Sequence, residues 1–261
     1  MASDVGWIRK KNEDNFIFHE RYNEKSERHM EYREKLCLTE PMLYGIFDGM
    51  GGESYGEVAS RLMAMVCQKY HLHPRHLSED ARALCQIGNE LVAREEELLG
   101  LSMGSTASML FFHEKVLSCN IGDSPIFLYR DGILRPIYED QTEKKLYEQM
   151  RLTEILNKKK KYRLLQYIGL QEEGMQILPY MEEIEVKDQD VFLICSDGLT
   201  DMVNEETIEE VLSSFDEESA RKLVDLALAN GGYDNVTVLL IRVEKGKSSI
   251  CRNNSWATDT V

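Results

Sequence analysis

Five times along the chain, an apolar run starts or stops beside a carboxylate and a turn-forming residue: "KNEDNF" (Glu13, Asp14), "GIFDG" (Asp48), "NIGDS" (Asp123), "LICSDG" (Asp197) and "GGYDN" (Asp234). An acid at a strand end is fixed by the sheet yet left uncovered, and a glycine beside it lets other groups approach closely. Taken singly, each acid reads as a turn residue whose side chain holds a backbone amide. Taken together, they call for a fold that returns strand ends repeatedly to one edge. Carboxylates gathered there repel each other unless a cation neutralises them. Oxygen-only ligands select hard cations such as Mg²⁺, Mn²⁺ or Ca²⁺, and two such ions close together can hold a hydroxide for attack on phosphorus. No histidine joins the set. His71, His73 and His76 of "HLHPRH" follow a helical segment and read as solvated end residues rather than a zinc site.

The order of elements narrows the fold class. Strand-like runs at Phe16–Phe18, Leu36–Leu38 and Leu43–Phe47 come first. Two helical stripes follow, one through Val58, Leu62, Met65 and Val66, the other through Leu84, Ile87, Leu91 and Leu98. A β-rich block runs through "TASMLFF", "KVLSCNI" and "PIFLYRDGIL", with "RDG" as a hairpin turn. A polar, charged insert occupies 139–174. A strand at 190–195, helices at 204–213 and 217–229, and a strand at 235–243 close the sequence. The last strand is apolar on both alternations and is expected to be covered on both faces. Strands and helices come in blocks, which predicts a layered α+β fold rather than a doubly wound sheet. The polar residues 245–261 read as a flexible tail.

Composition excludes several classes. A net charge of −15 and a pI near 4.9 argue against nucleic acid as a partner. No apolar run is long enough to cross a bilayer and no signal peptide is recognisable, so a cytoplasmic protein without a membrane partner is expected. The six cysteines are scattered and read as buried free thiols.

Read together, "RKKNEDNF", "GIFDGMGG", "GSTAS", "NIGDS", "CSDGLTDMV" and "GGYDNVTV", spread over roughly residues 4–243, resemble the metal-dependent serine/threonine phosphatases of type 2C, the PPM family, in its bacterial branch. The resemblance implies a β-sandwich of two antiparallel sheets flanked by helix pairs, a catalytic domain over 1–244, and a flap at about 139–174. It implies two Mn²⁺ or Mg²⁺ ions, a third weaker one, and dephosphorylation of phosphoserine and phosphothreonine proteins by metal-bound water. Asp48 would bridge the metals, with the Gly49 carbonyl on one of them. Asp197 and Asp234 would hold the first metal, and Glu13 or Asp14 the second. Asp123, with Asp197, matches the third position, and Asp201 lies nearby. Arg9 matches the arginine that grips substrate phosphate, a task suited to a guanidinium fork. A monomer in a signalling circuit, opposing a serine/threonine kinase or acting on its targets, completes the expectation.

The chain departs from the pattern at three positions. Met50 replaces the histidine proposed as general acid in many eukaryotic members, so water or another group would protonate the leaving group. Pro125 stands where arginine is usual and Gln141 where histidine is frequent. Other phosphatase chemistries fail on spacing: no cysteine begins a C-x₅-R, no D-x-D-G occurs, and "GKS" at 246–248 lacks the glycine of a P-loop. The rival from another class is a catalytically silent regulatory or binding module, which would be expected to have lost at least one of the acids.

Overall fold

The computed structural model describes residues 1–50, 55–156, 162–171 and 176–245. In chain order its elements are β1 (Ala2–Asp4), β2 (Asn15–Phe18), β3 (His29–Glu31), β4 (Met42–Phe47), β5 (Gly49–Met50), α1 (Gly56–Lys69), α2 (Leu77–Leu99), β6 (Gly104–Ser105), β7 (Ala107–Phe112), β8 (Val116–Ile121), β9 (Ile126–Arg130), β10 (Ile133–Pro136), α3 (Glu143–Gln149), α4 (Thr153–Leu156), β11 (Tyr180–Ile184), β12 (Val191–Cys195), α5 (Asp197–Thr200), α6 (Glu205–Ser213), α7 (Ser219–Ala229) and β13 (Val236–Arg242). One antiparallel sheet has the order β10-β9-β12-β13-β1-β3. The other has the order β11-β8-β7-β4-β2, and β5 pairs with β6 in a short ribbon.

Strand alternation explains the four layers. In β7, Met109 and Phe111 face α1 and α2, while Leu110 and Phe112 face the other sheet. In β12, Leu193 and Cys195 face α6 and α7, while Phe192 and Ile194 point inward. Phe112 and Phe192 meet edge to face across the sandwich, ring centres 5.3 Å apart. β13 places Val236 and Val238 under the helices and Leu239 between the sheets, so its apolarity on both alternations follows from double coverage. The "RDG" turn is a hairpin: Asp131 and Gly132 both take positive φ, 53° and 83°, between β9 and β10.

Four expectations need correction. Residues 36–38 are not a strand; Leu36 and Leu38 are exposed coil. The buried face of α1 is centred on Ala59, Met63 and Cys67; of the expected stripe Val66 is buried, while Val58 and Leu62 are partly covered and pack against the core. The buried face of α2 is Ala81, Leu84, Cys85, Gly88 and Val92, while Ile87 and Leu98 are exposed. Small residues set this phase because they admit a close neighbour. A Cβ at Gly88 would lie 2.3 Å from the Met63 sulfur. Strands β1, β3 and β11 were not expected; the first two are only three residues long and carry no readable period. Cys67, Cys85, Cys119 and Cys195 are buried free thiols, whereas Cys37 is disulfide-bonded, against the expectation of free thiols. Lysines 158–161 and the tail from 246 lie outside the described residues, as do 51–54 of the glycine-rich turn. No helix among the described residues is long and apolar enough to cross a membrane.

Candidate metal centre

The five acid-bearing segments converge at one end of the sandwich, where β4, β12 and β13 start or stop. Asp48 follows β4, and its turn is tied to the next hairpin: Asp48 N–H donates to Thr106 Oγ1 at 2.9 Å and Thr106 N–H to the Asp48 carbonyl at 2.8 Å. Gly49 is required by packing. A Cβ there would lie 2.3 Å from the Gly56 carbonyl and 2.5 Å from that of Glu13. Asp197 opens α5 after β12, and α5 sits against the start of β13 so tightly that a Cβ on Gly198 would meet the Asn235 carbonyl at 2.0 Å.

Asp14 is 2% exposed. Its Oδ2 accepts from Ser196 Oγ at 2.7 Å and Thr237 Oγ1 at 2.6 Å, while its Oδ1 is buried with no hydrogen-bond donor. Burial, opposed by the two hydroxyls and reinforced by Asp197 and Asp234, pushes its pKa up to about 7. Asp48 is raised well above the ordinary carboxylate range by burial and then by Asp14, Asp197, Asp123 and Asp234. Burial, Asp234 and Asp201 raise Asp197 to about 6, against a side-chain hydrogen bond with Asp48 and the charge of Arg9. Burial, Asp197 and Asp140 raise Asp123 to about 7. Glu13 is raised by burial and then by Glu57. Asp201 is raised by burial and by Asp234, and lowered by Lys144 of α3.

The structure thus brings Asp14, Asp48, Asp123, Asp197 and Asp234 within electrostatic reach of one another, with Glu13 and Asp201 beside them. Among the described residues, however, no three His, Cys, Asp or Glu side chains close around a single point. The donor set nevertheless suits hard cations, being all oxygen and containing a buried carboxylate oxygen with an open coordination valence. Arg9 reaches across to Asp234, Nη2 to Oδ2 at 2.6 Å, and lies 3.9 Å from Glu13. The histidines stand apart. His73 Nδ1 lies 2.9 Å from Asp80 Oδ1 and His76 3.8 Å from Glu79, so these two serve the α1–α2 turn.

Sequence reasoning missed the polar scaffold behind the acids. Asn235 is buried and uses its whole amide: Oδ1 accepts from Glu13 N–H at 2.8 Å, and Nδ2 donates to the Val5 and Lys11 carbonyls at 2.9 and 3.0 Å. It therefore fastens the segment carrying Arg9, Glu13 and Asp14 to the strand that follows Asp234. Behind Asp14, Thr237 shares a contact with Ser3, which accepts from Asn12. A readable signal existed: Thr237 is a polar residue in an otherwise apolar strand. Gln141, the departure noted above, holds the Asp123 turn, its Oε1 accepting from Gly122 N–H at 2.9 Å.

The family profile described as "Protein phosphatase 2C" matches residues 6–236. The serine/threonine protein phosphatase PstP of Mycobacterium tuberculosis is 36% identical over 211 residues, covering 77% of this chain but 40% of that protein. The chain thus spans less than half the length of that relative. The serine/threonine phosphatase stp of Listeria monocytogenes is 29% identical over 272 residues, covering 95% and 98% of the two chains. A crystal structure of the PstP catalytic domain, in complex with 2 manganese ions, superposes with a TM-score of 0.74 at 30% identity, covering 94% of this chain and 97% of that one.

Proposed function

Because the chain belongs to the protein phosphatase 2C family, we propose that it hydrolyses phosphoserine and phosphothreonine esters in proteins, using Mn²⁺ or Mg²⁺. The observation that carries this reading is the gathering of five buried or half-buried carboxylates, one with an orphaned oxygen, beside a single guanidinium. We assign Asp48, the Gly49 carbonyl, Asp197 and Asp234 to the two ions, with Glu13 and Asp14 on the side of the second and Asp123 at a third position. When bound, the ions supply Lewis acidity toward water and the phosphate ester. Arg9 exchanges its contact with Asp234 for the substrate phosphate and orients it. Ser196 and Thr237 hold Asp14 oriented through its other oxygen, and the Asn235 amide fixes the Arg9–Asp14 segment against Asp234.

A silent module on this scaffold would not be expected to keep a full set of mutually repelling acids, and here every expected position bears an oxygen donor. We further infer a catalytic domain over 1–244 with the flap at 139–174. We also infer a cytoplasmic, monomeric signalling enzyme that opposes a serine/threonine kinase. The test is release of phosphate from a phosphothreonine peptide and from p-nitrophenyl phosphate with Mn²⁺, with Mg²⁺ and with excess chelator. Turnover confined to the metal-loaded samples is expected. Equal turnover in chelator would defeat the metal assignment, and no turnover in any sample would favour the silent module.

A further inference from the structure

Trp7 and Ile8 stand immediately before Arg9, and Tyr233 immediately before Asp234. The two segments run side by side. Trp7 N–H donates to the Gly232 carbonyl at 2.8 Å. Gly6 lies so close to the partner segment that a Cβ on it would sit 2.3 Å from the Asp234 carbonyl. The backbone here is pinned, yet Trp7, Ile8 and Tyr233 are 68%, 64% and 62% exposed. The indole is not loose either. Its Nε1 donates to the Leu228 carbonyl at 2.9 Å, which satisfies the polar edge and leaves the apolar ring surface open. Just beyond these side chains, Arg9 and Asp234 meet at 2.6 Å. Exposed apolar and aromatic side chains therefore stand directly beside, on both paired segments, the residues assigned to phosphate and metal.

We propose that Trp7, Ile8 and Tyr233 form a specificity platform that receives an apolar side chain adjoining the phosphorylated serine or threonine of an extended phosphopeptide. The proposal rests on the phosphatase reading above. It commits to a substrate peptide because the platform borders the site a phosphorylated residue must enter. In an extended strand the next residues follow at about 3.3 Å intervals, within reach of a surface that adjoins Arg9. It commits to an apolar occupant because the polar edge of the indole is already bonded and what it leaves open is apolar surface, whose burial is favourable, whereas an anionic side chain would lose hydration there without gaining a partner. The adjacent guanidinium is already committed to Asp234 or phosphate. Acidic flanks would also be repelled by the carboxylates of the centre.

The experiment compares paired phosphothreonine peptides that differ only in having leucine or serine beside the phosphorylated residue. They are hydrolysed with Mn²⁺ by the wild-type chain and by Ile8→Ser, Tyr233→Ser and Trp7→Ser. The wild-type chain is expected to prefer the leucine peptide by about tenfold in kcat/KM, mostly through KM, as expected for an apolar pocket. Each variant should narrow that ratio, and combining them should bring it to about one. Circular dichroism and p-nitrophenyl phosphate hydrolysis of the same samples report the fold and the centre separately. An equal rate on both peptides by the wild-type chain, or a preference that survives all three substitutions, overturns the platform alone. A dimer in sedimentation that the substitutions dissociate would give this face to a second copy and also overturn it. Absence of metal-dependent p-nitrophenyl phosphate release would overturn the phosphatase reading together with the platform.

Discussion

A buried carboxylate with one oxygen lacking any donor is costly unless it stays protonated or meets a cation. Asp14 is such a residue, and Asp48 lies buried among four other acids. Two substitutions separate what such side chains contribute. Asp48→Asn puts a neutral amide where an acid must otherwise hold a proton or be repelled, so the metal-free protein should melt no lower than the wild type. Mn²⁺-dependent hydrolysis should nevertheless fall by more than about a hundredfold, beyond what loss of an outer-shell partner usually costs. A thermal melt by circular dichroism beside an activity assay checks both halves, and an unfolded variant would make Asp48 structural. Arg9→Ala should act through substrate instead. Losing a charge-assisted fork to phosphate costs about 1.5–3 kcal/mol, or roughly 10–150-fold in kcat/KM. Steady-state kinetics should show the loss at least partly in KM, and an unaltered kcat/KM would move the phosphate grip elsewhere.

At the scale of elements, long periodic runs were legible and short or close-packed ones were not. β4, β7, β8, β12 and β13 follow from apolar runs bounded by turn residues, and the acids at the ends of β2, β4, β8, β12 and β13 point to the candidate centre. β1 has three residues and owes its place to pairing with β3 and with β13, the latter more than two hundred positions away, which no local pattern encodes. The α2 face was misread because Ala81, Cys85 and Gly88 bury by being small, while the larger Ile87 and Leu98 stay outside. Asn235 was passed over because an amide beside an aspartate looks like a turn, whereas its three hydrogen bonds join β13 to the Val5–Glu13 segment. Asn235→Ala would strand one buried N–H and two carbonyls. A loss of about 2–4 kcal/mol is expected, since each unpaired buried group costs about 1–3 kcal/mol and water recovers part of it. Because Glu13 and Arg9 ride on the released segment, the Mn²⁺ concentration for half-maximal activity and the KM should rise together. Denaturant unfolding and a metal titration of activity measure these effects. A variant with lowered stability but wild-type metal dependence would limit Asn235 to the fold.

For the molecule as a whole, the acids make stability a function of both pH and metal. Folding raises Asp14 and Asp123 to about 7 and Asp197 to about 6, from an ordinary 3.8. The native state therefore holds protons that the unfolded chain has released. With the folded pKa raised, this contribution is fully present below the unfolded value and is lost as pH climbs through 6 to 7. Between 3.8 and those folded values each group lowers the unfolding free energy by about 1.4 kcal/mol per pH unit, and the three together by less than their sum because they interact. In a chain of this size about 2–4 °C of melting temperature accompanies each kcal/mol. In chelator, the melting temperature should fall by several degrees between pH 5 and pH 8. A divalent cation competes with protons for the same oxygens and binds only the native arrangement, so its stabilisation grows as protons leave. With saturating Mn²⁺ the slope should flatten or change sign over the same range, and Mn²⁺ affinity measured by calorimetry should rise with pH. The comparison needs only thermal melts at four or five pH values, with and without metal. A chelated protein whose melting temperature stays level or rises from pH 5 to pH 8 would mean that these carboxylates ionise together at little cost, and the case for a cation as their neutralising partner would fail.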